Sequence, residues 1–313
     1  MAILDKLVSL LRMRAMRKVV HAHSTWLDSA ALPQIACFPR DWIGREIVTA
    51  GLYEREVLEG LADNLFSLSS HRHDAVALDI GANIGNHSVF LARHFKEVVA
   101  FEPNPVALHL LRANLLANGI RNVKVIEAGL GDADAMLPFT LQEGNLGGAR
   151  IIEDTGAEAD MKLPIQIGDD VLAIEVPAPG VITFVKIDVE GHELKALQGL
   201  SGTLQAQHPV VAFESHCTGG PAGGDAVVAF LKGCGYRHFY SIESRTLFPE
   251  FLRIGLVKLI EKLIIGHAKI LAPLPLLQDR FYTLVLASAE PLRVPYSRNP
   301  FSGTRPHQRI ARA

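Results

Sequence analysis

Four carboxylates stand where apolar runs are about to end: Asp79 in "AVALDIGANIGN", Glu102 in "EVVAFEPNP", Asp188 in "VITFVKIDVEGHE" and Glu214 in "PVVAFESH". Acids at strand ends are well placed for ligand chemistry, because ligands of an open parallel sheet sit beyond the carboxyl ends of its strands. After Asp79 come Gly81 and Gly85. Glycine there lets the backbone approach a ligand closely and permits positive backbone angles. A dinucleotide loop reads GxGxxG, so that pyrophosphate meets the amides of a helix start. Here the order is Gly81-Ala82-Asn83-Ile84-Gly85, with neither the middle nor the third glycine. An acid at 79 repels phosphate and suits a ligand bearing an ammonium group. S-adenosylmethionine has such a group and no phosphate. Glu102, about twenty residues further on, is where an acid accepts hydrogen bonds from ribose hydroxyls.

The elements that must position these residues can be read from the pattern. "AVALDI", "EVVAFE" and "VKVIEAG" are strands separated by helical spacing in "NHSVFLARHF" and by a helix that Asn104 caps, Pro105 begins and Gly119 ends. Such β-α-β-α-β alternation predicts a parallel sheet covered by helices. Regularity lapses between Gly131 and Pro179, where "LPFTL" and "LPIQI" read as short strands around "EGNLGGAR". It returns with "VITFVKIDV", the helical "HELKALQGLSGTLQAQ", "PVVAFES", the helical "GDAVVAFLKGCG", "YRHFYSI" and "RFYTLVLAS". The expectation is an α/β, Rossmann-like, mostly parallel sheet of about seven strands with helices on both faces.

"LDIGANIGNHS", "VVAFEPNP", "LLRANLLANGI" and "VKIDVEGHELKALQGL" resemble the FkbM family of S-adenosylmethionine-dependent methyltransferases, as do "GLGD" at 129–132 and "GNLGG" at 144–148. The likeness runs from about Asp74 to Ser215, with "IVTAGLYEREVLEGL" as a lead-in. The resemblance implies transfer of a methyl group from S-adenosylmethionine to a hydroxyl of a sugar, polyketide or other small-molecule or glycan acceptor. It also implies that Asp79, Gly81, Asn83 and Gly85 line the methionine part, that Glu102 holds the ribose, and that the turn at 127–132, with Ala128 and Asp132, faces the adenine. Asp188 would sit near the transferred methyl. Asn83 and Asp132 also read as plain turn residues.

Methyl transfer from a sulfonium needs no metal, but an aliphatic hydroxyl is a weak nucleophile and calls for a positioned base. Lys186 and Asp188 point to one side of their strand, and Glu214 and His216 to a common side of the next. Asp188, His216, Glu214 and Glu190 are therefore the catalytic candidates, His216 or Asp188 being favoured as base. Lys186 also reads as a partner for a neighbouring carboxylate, Glu190 and Glu193 as first-turn helix residues, and His192 as a surface residue. Asp188, Glu214 and His216 are metal-ligand types, but spacing does not show that they converge, and no metal is expected.

With 313 residues, 49% of them hydrophobic, the chain can bury one large core or a core with an appendage. A formal charge of −2 gives no general attraction to nucleic acid. Cys37, Cys217 and Cys234 make neither a disulfide framework nor a zinc pattern, which fits a reducing cytoplasm. The expected organisation is a helical lead-in at 1–73, a cofactor-binding domain at 74–290 and a tail at 291–313. Within that domain, "FLRIGLVKLIEKLIIGHAKILAPLPLL" belongs to an insertion at about 245–278 and reads as an amphipathic helix ended by Pro273 and Pro275. That helix and the basic start "MAILDKLVSLLRMRAMRKVV" read as surfaces packed on the same chain or a second copy, with peripheral membrane contact as the other reading. His71, Arg72 and His73 read as a solvated loop.

Two other functions fit parts of the pattern. A nicotinamide-dependent oxidoreductase would need the missing glycine, and a non-catalytic scaffold would use the fold only to bind cofactor, membrane or partner.

Overall fold

Apolar runs without a polar face make strands that must be covered on both sides. The computed structural model describes residues 2–66, 74–142, 145–151, 161–176, 180–216, 224–244, 269–274 and 281–292. Three helices come first: α1 (Ala2–Ser29), α2 (Trp42–Ala50) and α3 (Arg55–Leu61). The expected alternation follows as β1 (Ala75–Ile80), α4 (Asn86–Leu91), β2 (Glu97–Phe101), α5 (Pro105–Ala117) and β3 (Val123–Ile126). Asn104 caps α5 by accepting from the Val106 amide at 3.0 Å, as its position before Pro105 predicts.

The irregular stretch forms β4 (Gly129–Gly131), β5 (Ala135–Gln142), β6 (Asn145–Ile151) and β7 (Met161–Ile167), then α6 (Gly168–Glu175). After β8 (Val181–Ile187), the anticipated single helix divides at Gly199 into α7 (Glu193–Gln198) and α8 (Ser201–Gln207). The chain continues through β9 (Val210–His216), α9 (Gly224–Gly233), β10 (His238–Ser244), β11 (Lys269–Pro273) and β12 (Phe281–Ser288).

The main sheet runs β11-β10-β12-β9-β8-β1-β2-β3. β3, β2, β1, β8 and β9 are parallel, and β12 lies antiparallel between β9 and β10. All seven expected strands are present. The eighth, β11, pairs antiparallel with β10 at the sheet edge and comes from the segment read as helix. Pro273 therefore closes an edge strand, where a missing N–H costs no ladder bond. The remainder of that helix reading lies outside the described residues, as do His71, Arg72, His73 and most of the tail.

Strand order reverses between β1 and β8, so their carboxyl ends open the crevice in which such sheets hold ligands. The second sheet, β4-β7-β5-β6, stands beside it. One face of the main sheet packs under α7, α8 and α9 through Leu197, Leu204 and Leu231. The other packs under the lead-in through Leu58, Leu61 and Phe66, with Phe66 edge-on to Phe95 and Phe184 at 5.0 and 5.1 Å between ring centres.

Three asparagines fasten the lead-in. Asn114 accepts from the Ala36 amide and donates to the Ala36 carbonyl, Asn118 does the same for Gln34, and Asn86 the same for Tyr53. Each side-chain amide thus substitutes for a missing strand neighbour, satisfying both backbone groups of one residue. By contrast, α1 leaves Val8, Leu10, Leu11, Met13, Met16, Val19 and Val20 exposed. These side chains do not pack on their own chain, one of the two packing readings of this segment. No helix among the described residues is long and apolar enough to cross a membrane.

Candidate active site

The loop after β1 explains its glycines before any ligand is considered. Gly81 and Gly85 have φ of 74° and 85°, and a Cβ at Gly81 would meet the Asp188 carbonyl oxygen at 1.9 Å. The missing side chain therefore lets the ends of β1 and β8 touch. The amides of Gly81 and Ala82 both donate to the Phe101 carbonyl, that of Asn83 to Glu102 Oε2 at 2.8 Å, and that of Gly85 to the Ala82 carbonyl. Asn83 itself sits at φ 50°. With those four donors committed, the loop is poorly equipped to cradle a pyrophosphate, which needs free amides.

Asp79 lies beneath this loop, fully buried, and accepts from Ser88 Oγ at 2.6 Å. Its register partner across β8 is Lys186, whose Nζ lies 3.4 Å from Asp79 Oδ1, 3.6 Å from Asp188 Oδ2 and 3.0 Å from the Gly81 carbonyl. Burial pulls the Lys186 ammonium down, but the carboxylates of Asp79, Asp188 and Glu54 outweigh it and leave its pKa raised. Lys186 is the neighbour's partner that its position suggests, and it binds the strand ends together.

Above this floor opens a cavity enclosing about 1130 Å³, mouth included. Gly81, Asn83, Glu102, Asp188, Glu190 and Glu214 line it, six of the eleven residues singled out from sequence. Asp79 and Gly85 lie behind the wall, Ala128 is buried outside the lining, and Asp132 is exposed outside it. His216 ends β9, but its side chain falls outside the description.

Glu102 projects into the cavity just past β2. Its Oε1 accepts from the Asn104 amide and its Oε2 from the Asn83 amide, both at 2.8 Å. Each oxygen keeps a second lone pair for a ligand hydroxyl. Burial pushes its pKa up to about 7 against the pull of those two amides.

On the far side, the β8–β9 register pairs Ile187 with Phe213, so Asp188 and Glu214 come next, side by side. Burial, then the Asp188 charge and hydrogen bond, raise Glu214 to about 9. The raised pKa favours the protonated form of Glu214, the form that can donate to Asp188. Glu190 adds negative charge from a left-handed position, φ 51°, ahead of α7 rather than within it. Glu193 does take the first helical position, accepting from Gly191 N at 3.0 Å. His192, read as a surface residue, is instead buried and lines the cavity, because the turn folds it inward toward Gly131.

The lead-in supplies what sequence reasoning missed. Tyr53 and Glu54 line the cavity, with Glu54 Oε2 3.3 Å from His87 Nε2. Burial and then Glu54, Asp188 and Glu214 drive the Tyr53 hydroxyl upward, keeping it a proton donor. Phe139 and Ile165 of the second sheet form an apolar wall. The resemblance of the segment around Tyr53 to a lead-in was the only signal available, and it carried no residue role.

The site thus combines an apolar wall, a strand-end acid with spare lone pairs and carboxylates around a closed loop in a Rossmann-like sheet. Comparison with known proteins gives the family: residues 79–238 match the methyltransferase FkbM domain, and the chain belongs to that family. The hexuronic acid methyltransferase AglP of Haloferax volcanii is 34% identical over 146 residues, covering 46% of this chain and 57% of that protein. Methyltransferase 1 of Beauveria bassiana is 26% identical over 157 residues, 44% of this chain and 63% of that protein. This chain thus spans about three fifths of the length of these relatives. The crystal structure of an FkbM methyltransferase from Methylobacillus flagellatus aligns over 71% of this chain and 45% of that one, with a TM-score of 0.43 and 17% identity.

Proposed function

We propose that this protein is an S-adenosylmethionine-dependent O-methyltransferase acting on a hydroxyl of a sugar, polyketide or other small-molecule or glycan acceptor. The observation that carries the reading is Glu102: a carboxylate at the end of β2, steadied by two backbone amides, with lone pairs facing a cavity whose loop amides are already committed. That combination suits ribose hydroxyls and not a pyrophosphate, which tells against a nicotinamide cofactor. Family membership supports the reaction class, and the name of the Haloferax relative supports a sugar acceptor.

The residues present fit the cofactor. Glu102 would take the ribose and Leu130, Phe139 and Ile165 the apolar base, while the carboxylates near Asp188 would meet the cationic end. When bound, S-adenosylmethionine supplies an electrophilic methyl on its sulfonium. The chain's part is to hold the acceptor oxygen in line and to take its proton. Asp188 is our candidate for the second task. Glu214 donates to it, Lys186 holds it from behind, and it stays a third exposed toward the cavity. Asp79 acts from beneath by holding Lys186 rather than by touching the ligand.

Calorimetric titration with S-adenosylhomocysteine tests the assignment. One-to-one binding that Glu102→Ala weakens by about 10- to 100-fold is expected, the loss of one or two hydrogen bonds to a charged group. Absence of binding by the intact protein sinks the reading.

A further inference from the structure

The cofactor cavity is not closed on its lead-in side. Tyr53, Glu54 and Thr283 belong at once to its wall and to the wall of a second, larger-mouthed groove, which continues past them between α1, α2 and α3. Trp26 and Trp42 stand in that groove. They are the chain's two tryptophans.

The two rings differ in what holds them. Trp26 is stacked with His23, ring centres 5.3 Å apart, and the Arg55 guanidinium lies 5.6 Å from its centre. It is a fixed wall. Trp42, the first residue of α2, is 70% exposed. A large exposed aromatic beside a buried reaction cavity is what a ring with an apolar face and a hydroxylated edge can stack on.

Charge selects among such rings. Glu46, Glu54, Glu56 and Glu59 line the groove against Arg55 and Lys269. Both cations are engaged by this chain's own acids, Arg55 with Glu59 at 2.7 Å and Lys269 with Glu56 at 3.0 Å. The groove therefore presents carboxylate acceptors to a ligand and offers an incoming anion two cations already paired. Beyond it, Asp188 and Glu190 extend the same negative sign into the cavity. A carboxylate on the acceptor meets like charge along the whole path.

We infer that this groove is the acceptor subsite, with Trp42 as its stacking platform, and that it takes an uncharged or amine-bearing sugar and rejects a uronate. The inference rests on the methyl-transfer reading above, and it separates this chain from its Haloferax relative, whose name specifies a hexuronic acid. The Glu and Thr side chains accept hydrogen bonds from ring hydroxyls or an amine, and Tyr53 marks the passage toward Asp188. The lead-in that forms the groove lies outside the family match at 79–238, so acceptor choice and family membership are carried by different parts of the chain.

Because both tryptophans face the groove, intrinsic fluorescence reads its occupancy without turnover and without cofactor. Methyl glucoside, methyl glucosaminide and methyl glucuronide, with their galacto and manno counterparts, are titrated into the full chain well into the millimolar range. At least one neutral or amino glycoside is expected to change the emission saturably. Its uronate counterpart should bind at least tenfold more weakly. Trp42→Ala should weaken the preferred glycoside about tenfold and leave S-adenosylhomocysteine binding unchanged. Glu56→Gln combined with Glu59→Gln frees Arg55 and Lys269 and should narrow the gap to the uronate.

Equal or tighter binding of the uronate overturns the inference. So does the absence of any saccharide response while S-adenosylhomocysteine still binds. If S-adenosylhomocysteine fails to bind while glycosides still change the emission, the transfer reading falls and the sugar groove survives.

Discussion

The floor of the site and its rim are built in opposite ways. The floor is Asp79, Glu102 and Lys186 at the ends of three neighbouring strands of one sheet. Its polar groups are buried and paired, and it leaves a few lone pairs for a ligand. The rim is Tyr53, Glu54 and the tryptophan groove, contributed by helices that reach the sheet through an aromatic cluster and three asparagine clasps. Satisfied, interlocked groups fix geometry, whereas separable, half-exposed groups can change without unfolding the protein. Damage to the floor should therefore show as lost stability and cofactor binding, and damage to the rim as altered acceptor recognition.

The sharpest break comes from Lys186→Met. Methionine fills the space but leaves Asp79, fully buried, without its cation. Removing one partner of a buried pair costs about 3–5 kcal/mol. A urea midpoint close to that of the native protein would mean that Asp79 is neutral and that the floor is not an ion-paired unit. Asp79→Asn in the same background should recover part of the loss, because the uncompensated charge is then gone.

Next in size is the pH dependence of cofactor binding. Glu102 titrates near 7, raised by burial, and its ionised form is the better acceptor for ribose hydroxyls. Affinity for S-adenosylhomocysteine should therefore fall as the pH drops through about 7, and the step should vanish in Glu102→Gln. A flat profile in the native protein would show that ribose binding does not depend on that charge.

The rim offers a milder test. Asn86→Ala removes both bonds to the Tyr53 backbone. It should cost about 1–3 kcal/mol, in keeping with two partly buried backbone groups left unsatisfied. Faster hydrogen exchange around Tyr53 with unchanged exchange in β1 would match a clasp acting on the rim alone. Equal acceleration in both would merge the two regions into one unit.

The same contrast explains what could be read in the sequence. Strand ends of one parallel sheet are local events, so the acid after a hydrophobic run, the glycines beyond it and the proline-started helix announce the floor directly. Even there the alignment was imperfect. Asp79 carries the expected charge, but Lys186 spends it internally, and no spacing rule distinguishes an acid facing a ligand from one facing a lysine. His192 looked exposed because a polar residue after a strand usually is, yet the turn around Gly191 folds it inward. The rim left almost no trace. Tyr53 and Glu54 reach Asp188 across more than a hundred residues of sequence, and the clasps are ordinary asparagines whose meaning is purely tertiary. The edge strand β11 was hidden for another reason: Lys269–Pro273 follows a helical hydrophobic pattern, and its pairing with β10 overrides that period.

The last test discriminates most finely, because it concerns the carboxylate pair where floor and rim meet. Burial and the Asp188 charge push the Glu214 pKa up, toward about 9, above the ordinary carboxylate value of about 4.3 in the unfolded chain. A group whose folded pKa is raised contributes its full stability below the unfolded value and loses it as pH rises toward the folded one. The native protein should thus weaken steadily from about pH 4.3 to about 9. Glu214→Gln keeps a donor to Asp188 and has nothing to titrate. Its stability should match the native protein at pH 4.5 and exceed it increasingly up to pH 9, by a margin that solvent near the cavity reduces. Urea midpoints of the two proteins measured at both ends of that range check this. Parallel midpoints would mean that Glu214 is ionised throughout and repels Asp188 instead of donating to it. The proposed base, Asp188, would then lack its donor, and the proposal would shift the role to another residue of the ring.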